Sequence, residues 1–257
     1  LTKAIEAYQP NILIHLASET GTSQSFFNPK LHTDTNVNGT ASVIKSLIDS
    51  NIQLDYVLLA SSRAVYGEGS YVDVQGRIHY PNGRSVDQLN KKQWEFYGME
   101  YVLSNVAKNV ANPTSIYGTT KYTQELLLRN WALPNGVPLG IFRLQNVYGI
   151  GQDSENPYTG IINIFIQDAL KNKSINVYED GEITRDFIYI DDVKKMIVTA
   201  LNSKLEGNFD VGTGVRTSLI QLANHVSEIL DSQSPHISGN FRIGDVRHAG
   251  CEEVLLK

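Results

Sequence analysis

A chain of 257 residues, 41% hydrophobic and 19% charged, can bury a sizeable core and reads as globular, with room for one large domain or two lobes. Its net charge of −5, without any Lys/Arg block, gives no electrostatic reason to expect nucleic acid or an anionic membrane as partner. Cys251 is the only cysteine, which excludes an intramolecular disulfide or a thiolate metal cluster, and no apolar run approaches the ~20 residues of a membrane helix; with no signal peptide at the start, a cytoplasmic protein is expected.

In chain order, residues 1–8 read as a helix that runs directly into the apolar stretch 11–17, a strand of the kind buried on both faces of a parallel sheet. A long helical stretch covers about 29–50, with Val37, Thr40, Ala41, Ile44, Leu47 and Ile48 at helical spacing. A second buried strand, 54–60, ends in Ser61-Ser62. Strand, helix and strand in this order are the βαβ signature. The polar stretch 68–112 is expected to be a partly helical excursion over the site. A helix begun near Ser115 closes at about Trp131, and 137–142 form a third buried strand. Beyond Tyr148, Gly149, Gly151, Pro157 and Gly160 punctuate a loop. Then come a helix at 161–170, a strand at 187–190, a helix at 193–201, a strand that ends in a turn over 209–214, and a helix at 218–230. The expectation is an α/β fold with a smaller, loop-rich C-terminal lobe.

Tyr117 and Lys121 stand four residues apart, which on a helix places both on one face about a turn apart. A cation near a phenol favours the phenolate and makes tyrosine a usable general base. Alone the spacing says little: 13 Tyr and 13 Lys in the chain yield roughly 0.7 such pairs by chance. Context adds weight, because Ser61-Ser62 falls at the C-terminal edge of a parallel strand, where open α/β sheets bind ligands.

Six segments then fall in order along nearly the whole chain. They are His15-Leu16-Ala17-Ser18, Asn36-Val37-Asn38-Gly39-Thr40, Ser61-Ser62-Arg63-Ala64-Val65-Tyr66-Gly67, Tyr117-x-x-x-Lys121, Arg143-Leu144-Gln145-Asn146-Val147-Tyr148-Gly149 and Arg185-Asp186-Phe187-Ile188-Tyr189-Ile190-Asp191-Asp192-Val193. Together they resemble the motif series of the extended short-chain dehydrogenases, the NAD-dependent epimerase/dehydratase family. That resemblance implies a Rossmann-like doubly wound parallel sheet binding NAD, formed by 1–147 plus 183–214, and a lobe holding a nucleotide-diphospho-sugar, formed by 148–182 plus 215–257. It gives Tyr117 the role of base and Lys121 that of holding the nicotinamide ribose and depressing the tyrosine pKa, with Ser62 completing the triad. His15, Leu16, Ala17, Ser18, Asn36 and Ser61 would join Tyr117 and Lys121 at the cofactor; Ser62, Asn146, Arg185 and Arg242 would meet the substrate. Read from residue type alone, His15 is equally a hydrogen-bonded core histidine, Asn36 a helix-interior polar group, and either arginine a solvated charge. Arginine suits a diphosphate because its planar donor fork meets phosphate oxygens bidentately. Relatives of this kind commonly pair as homodimers through the helix carrying the tyrosine and the preceding long helix; no metal is implied.

Family members that dehydrate sugars carry an acidic pair right after the position of Ser62. Arg63 and Ala64 stand there and can supply neither acid nor base, which leaves epimerases, and reductases that use NADPH. Glu19-Thr20-Gly21-Thr22-Ser23-Gln24-Ser25, Ser62 to Gly69, Asn156-Pro157-Tyr158-Thr159-Gly160 and Gly244-Asp245-Val246-Arg247-His248 look most like the dTDP-L-rhamnose 4-epimerase branch, with UDP-glucose/galactose 4-epimerases next; a non-catalytic NAD- or nucleotide-sugar-binding module is the alternative from another class. The expected chemistry is 4-epimerisation through a transient 4-keto sugar. The family's opening strand and Gly-rich turn find no match here, and Leu1 is not a methionine, so the chain is expected to be a fragment truncated at both ends.

Overall fold

The computed structural model describes residues 1–152 and 160–252; of the branch motif above, 156–159 lie outside them. Helix α1 (Thr2–Tyr8) leads into β1 (Ile12–His15). Two short helices, α2 (Thr22–Phe27) and α3 (Pro29–His32), precede a π-helical turn, Thr33–Asn38, which continues into α4 (Gly39–Asp49). The long helix expected over 29–50 is therefore one helical run with a π-turn inside it. Such turns widen the helix by one residue and gather at functional sites, and this one carries Asn36.

Strand β2 (Tyr56–Ser62) ends in a 3₁₀ turn, Arg63–Tyr66. The excursion follows: β3 (Ser70–Asp73), β4 (Ile78–His79), α5 (Val86–Asn90) and β5 (Met99–Val102). Helix α5 makes it partly helical as expected, and an antiparallel sheet in the order β4-β3-β5 organises the rest of the segment. Next come α6 (Ile116–Ala132), β6 (Leu139–Leu144) and β7 (Asn146–Tyr148), then α7 (Ile161–Leu170) and β8 (Asn176–Val177). The chain continues through β9 (Thr184–Tyr189), α8 (Ile190–Ser203), β10 (Gly207–Val211), β11 (Arg216–Ser218), α9 (Leu219–Ile229) and β12 (His236–Ile237).

The central sheet runs β1-β2-β6-β10, and all its pairings are parallel. A parallel strand covered on both faces reads as an apolar run, and β2 shows why. Val57 and Leu59 pack with Leu47, Leu128 and Leu139 on the side of α1, α4 and α6. Tyr56 and Leu58 face the other way, toward Phe142, Ile188 and Val193 beside α8. A separate core joins α7, α9 and β8 through Phe165, Ile175, Val177 and Ala223. The doubly wound α/β expectation is borne out. Strand β7 pairs parallel with β9, whose other edge pairs antiparallel with β11; this small sheet connects the large sheet to the C-terminal core. Among the described residues no helix is long and apolar enough to cross a membrane.

Candidate active site

Helix α6 carries the centre of the site. Ser115 caps it by accepting a hydrogen bond from the Gly118 N–H at 3.0 Å, as an N-cap serine does. Its buried stripe holds Gly118, Lys121, Gln124, Glu125, Leu128 and Ala132. A buried helical stripe is ordinarily apolar, so a lysine, a glutamine and a glutamate in it mark a functional face. Gly118 lets the helix approach: a Cβ there would lie 2.4 Å from the Ala64 carbonyl oxygen, so any side chain would push α6 off the turn that follows β2. The half-buried Tyr117 phenol is thereby brought within reach of the Ser62 hydroxyl.

Lys121 is 2% exposed, and its Nζ donates to the Ala60 carbonyl at 2.6 Å. Burial, opposed by the charge of Glu125, brings its pKa down to about 8. Burial likewise pushes the Tyr117 phenol up; the Ser62 hydrogen bond and the Arg63 charge oppose that rise. The Arg63 charge thus acts on the phenol, and the charge of Lys121 is felt by His15.

Beneath the triad lies a buried polar chain. Ser61, expected at the cofactor, turns inward and donates to Glu125 at 2.5 Å. Arg143 grips the same carboxylate bidentately at 3.0 and 2.7 Å and lies over the Tyr66 ring, whose hydroxyl donates to Asp210 at 2.9 Å. A bidentate buried pair is strong only when its hydrogen bonds are complete, and here both carboxylate oxygens are used. His15 is also turned inward. Its Nε2 meets the Thr40 hydroxyl at 2.8 Å, Gln124 donates to that hydroxyl at 2.8 Å, and burial followed by Lys121 lowers the imidazole to about 4. Leu16 and Ala17 are exposed at the sheet edge. From the π-turn, Asn36 accepts from Ser18 Oγ and the Glu19 N–H, and donates to the Glu19 carbonyl and Thr120 Oγ1. It ties the loop after β1 to α6.

The second cluster lies in the C-terminal half. A cavity of about 190 Å³ is lined by Ile164, Phe165, Tyr178, Arg185, Arg242 and Asp245. The Arg242 guanidinium stands 5.0 Å from the centre of the Tyr178 ring. Arg185 spends three of its N–H donors on the carbonyls of Thr184, Val246 and Arg247, and burial plus the neighbouring Arg63 lowers it to about 10. Asn146 Oδ1 and both side-chain polar atoms of Gln145 are buried without a partner among the described residues, which leaves them open to a ligand.

A larger cavity of about 480 Å³, bounded by Thr22, Glu68, Arg84, Ser115, Thr119 and Asp245, adjoins the first through Asp245. A buried charge network holds this region. Arg247 donates to Glu95, Glu179 and Asp180, and its N–H to Glu68 at 2.9 Å. Arg84 donates to Glu179 at 2.7 Å and to the Asp245 carbonyl at 2.9 Å.

The structure therefore brings Ser62, Tyr117 and Lys121 together and places Arg185 beside Arg242. Reading the sequence missed Glu125, Tyr178, Asp245 and the Arg84–Arg247 network as parts of the site. Glu125 continues the spacing of Tyr117 and Lys121 by another four residues, a signal open to inspection. Among the described residues no group of three or more His, Cys, Asp or Glu could hold a metal ion.

The family model described as "NAD dependent epimerase/dehydratase family" matches residues 1–85 and 94–212. The chain is 45% identical over 247 residues to dTDP-L-rhamnose 4-epimerase of Burkholderia thailandensis, covering 95% of this chain and 68% of that protein. It is 30% identical to the putative UDP-glucose 4-epimerase of Methanocaldococcus jannaschii, with 96% and 70% covered. Among solved structures, the UDP-glucose 4-epimerase of Thermotoga maritima with UDP-glucose superposes with a TM-score of 0.77 at 24% identity, covering 98% of this chain and 71% of that one. The Thermus thermophilus UDP-glucose 4-epimerase complex with NAD gives 0.77 at 23%, covering 98% and 72%. These last two likenesses concern the fold.

Proposed function

The chain belongs to the NAD dependent epimerase/dehydratase family, and from that premise we propose that it inverts C4 of a nucleotide-diphospho-sugar of the dTDP-L-rhamnose type. The observation that carries the reading is the juxtaposition of Ser62, at the C-terminal end of β2, with Tyr117 on α6 and Lys121 one turn further along that helix. The similarity to a dTDP-L-rhamnose 4-epimerase supports the choice of sugar.

The residues fit the nicotinamide-ribose end of NAD. An ammonium has three N–H donors, and Lys121 spends one on Ala60, which leaves two for a ribose diol. The unpartnered amide groups of Gln145 and Asn146 offer further hydrogen bonds. Bound NAD supplies the chemistry of accepting hydride from the sugar carbon and returning it. The protein's share is position and proton transfer. Tyr117 as phenolate takes the proton of the sugar 4-hydroxyl, and Ser62 orients both oxygens. Arg185 and Arg242 hold the diphosphate, so that the 4-keto sugar turns about a fixed point and presents its other face. Tyr178, under Arg242, lines the same cavity. Arg63 and Ala64 offer no acid and base for dehydration.

Two lobes, 1–147 with 183–214 and 148–182 with 215–257, agree with the division of the apolar cores, with Ile183 at the seam. A homodimer through α4 and α6 is supported by the outward-facing Ile48 and Leu126; light scattering after size exclusion reads it directly.

Purified protein supplied with NAD and dTDP-L-rhamnose should interconvert the sugar with its C4 epimer, followed by proton NMR, without net reduction of cofactor. Tyr117→Phe should lower kcat by about 10³-fold, within the range of a lost general base. Turnover of UDP-glucose alone would move the substrate to the neighbouring branch. Stoichiometric consumption of NADPH, or an unchanged rate in Tyr117→Phe, would overturn the epimerase reading.

A further inference from the structure

Ser62 ends β2 and, by accepting the Ala64 N–H at 3.1 Å, fixes the tight turn whose first residue is Arg63. Helix α6 is pressed against that turn at Gly118, close enough that a Cβ would overlap the Ala64 carbonyl. Arg63 and Tyr117 therefore sit on two segments in direct contact, each next to a residue of the Ala64–Gly118 approach. Arg84, Arg143, Arg185 and Arg247 each spend their donors on carboxylates or carbonyls. Arg63 is half-buried yet has no hydrogen bond or ion pair among the described residues. Five N–H donors and a permanent charge are thus available beside the phenol.

The groups whose fields reach Arg63 come from every side of the site: Tyr117 on α6, Tyr101 on β5, Glu68 beyond the turn, Asp245 from the C-terminal loop, and the repelling Arg185 on β9. Toward Glu68 a counter-ion duty is already discharged by others. Glu68 accepts the Arg247 N–H, and Arg84 lies 3.9 Å from the same carboxylate.

We propose that Arg63 is a catalytic residue of this site: its guanidinium bears on the negative charge of the Tyr117 phenolate and of the sugar oxygen that Tyr117 deprotonates. A preorganised cation aimed at developing charge in a half-buried site is a strong electrostatic contributor. The proton moves from the sugar hydroxyl to the tyrosine oxygen as the carbonyl forms, and Arg63 keeps its own protons throughout. The position that a dehydratase fills with an acid is here filled by a fixed positive charge, which favours reversible proton transfer at the 4-oxygen over loss of a hydroxyl.

The inference rests on Tyr117 as the base. The charged and titratable groups facing that phenol are Arg63 on the turn, Lys121 on its own helix and His32 from α3, whose ring centre lies 6.4 Å away. Tyrosine labelled at 13Cζ, with the Tyr117 resonance assigned through Tyr117→Phe, gives its titration directly. Arg63→Met should move that titration up by about one pH unit and lower kcat about tenfold at neutral pH, with the rate recovered at alkaline pH. Arg63→Lys, which keeps the charge, should restore most of both. A Tyr117 titration unmoved in Arg63→Met, or a loss of rate equal at every pH, would overturn the proposal while leaving the base in place. Full activity in Tyr117→Phe would overturn the two together.

Discussion

Ser62, Tyr117 and Lys121 are placed by backbone: a strand end, a capped helix and one glycine that lets the two touch. Arg242 and Asp245, and the Val246 and Arg247 carbonyls that Arg185 binds, belong to a segment placed by charge. They hang on a network in which Glu68 meets Arg247 across 179 positions and Arg84 meets Glu179 across 95. Where local geometry fixes a side chain, its position follows from a short stretch of sequence and changes little with solvent. A side chain fixed by long-range ion pairs depends on several distant segments at once, and on the local dielectric. The half proposed for proton transfer is thus the rigid half, and the half proposed for recognition the adjustable one.

The largest expected effect probes the rigid half. Glu125→Ala leaves Arg143 buried without its bidentate partner and Ser61 without its acceptor, at a cost of about 3–5 kcal/mol. The melting midpoint should fall by roughly 10 °C in a calorimetric scan. A fall under about 2 °C would mean that the polar stripe of α6 contributes little to holding this half, and the contrast would break. Arg242→Ala should instead act on recognition, raising KM about 10- to 100-fold with kcat within about threefold, as expected when one charge-assisted contact to the substrate is lost. A matching fall in kcat would place Arg242 in the chemistry and blur the division.

The smallest effect concerns pH. His15 has a pKa of about 4 in the folded chain against an ordinary 6.5. Between these values the unfolded chain binds the extra proton, so the contribution of His15 is complete above pH 6.5 and is lost as pH falls toward 4. Its full extent is on the order of 3 kcal/mol. Urea unfolding at pH 7, 5.5 and 4.5 should show a steeper loss for the wild type than for His15→Gln; equal slopes would remove His15 from the buried stripe.

The same contrast explains what was legible in the sequence. Parallel strands buried on both faces announce themselves as apolar runs, so β1, β2 and β6 and the sites at their ends were readable from residues 11–17, 54–60 and 137–142. The excursion was not. Its sheet includes a two-residue strand, and Tyr71 within it is buried by contacts with Phe96 and Tyr101, which no periodicity reports. The π-turn at Asn36 leaves the apolar spacing of α4 intact and so passes for ordinary helix. Whether His15 faces a ligand or the core depends on Thr40 and Gln124, partners 25 and 109 positions away.

The bond from the Arg247 N–H to Glu68 has a consequence for engineering. It joins the segment after β2 to the far end of the chain, so a recognition lobe exchanged between relatives would arrive without its counterpart. A working chimera would have to carry the stretches around Glu68, Arg84 and Glu95 along with 242–248, as a single exchangeable unit scattered through the gene.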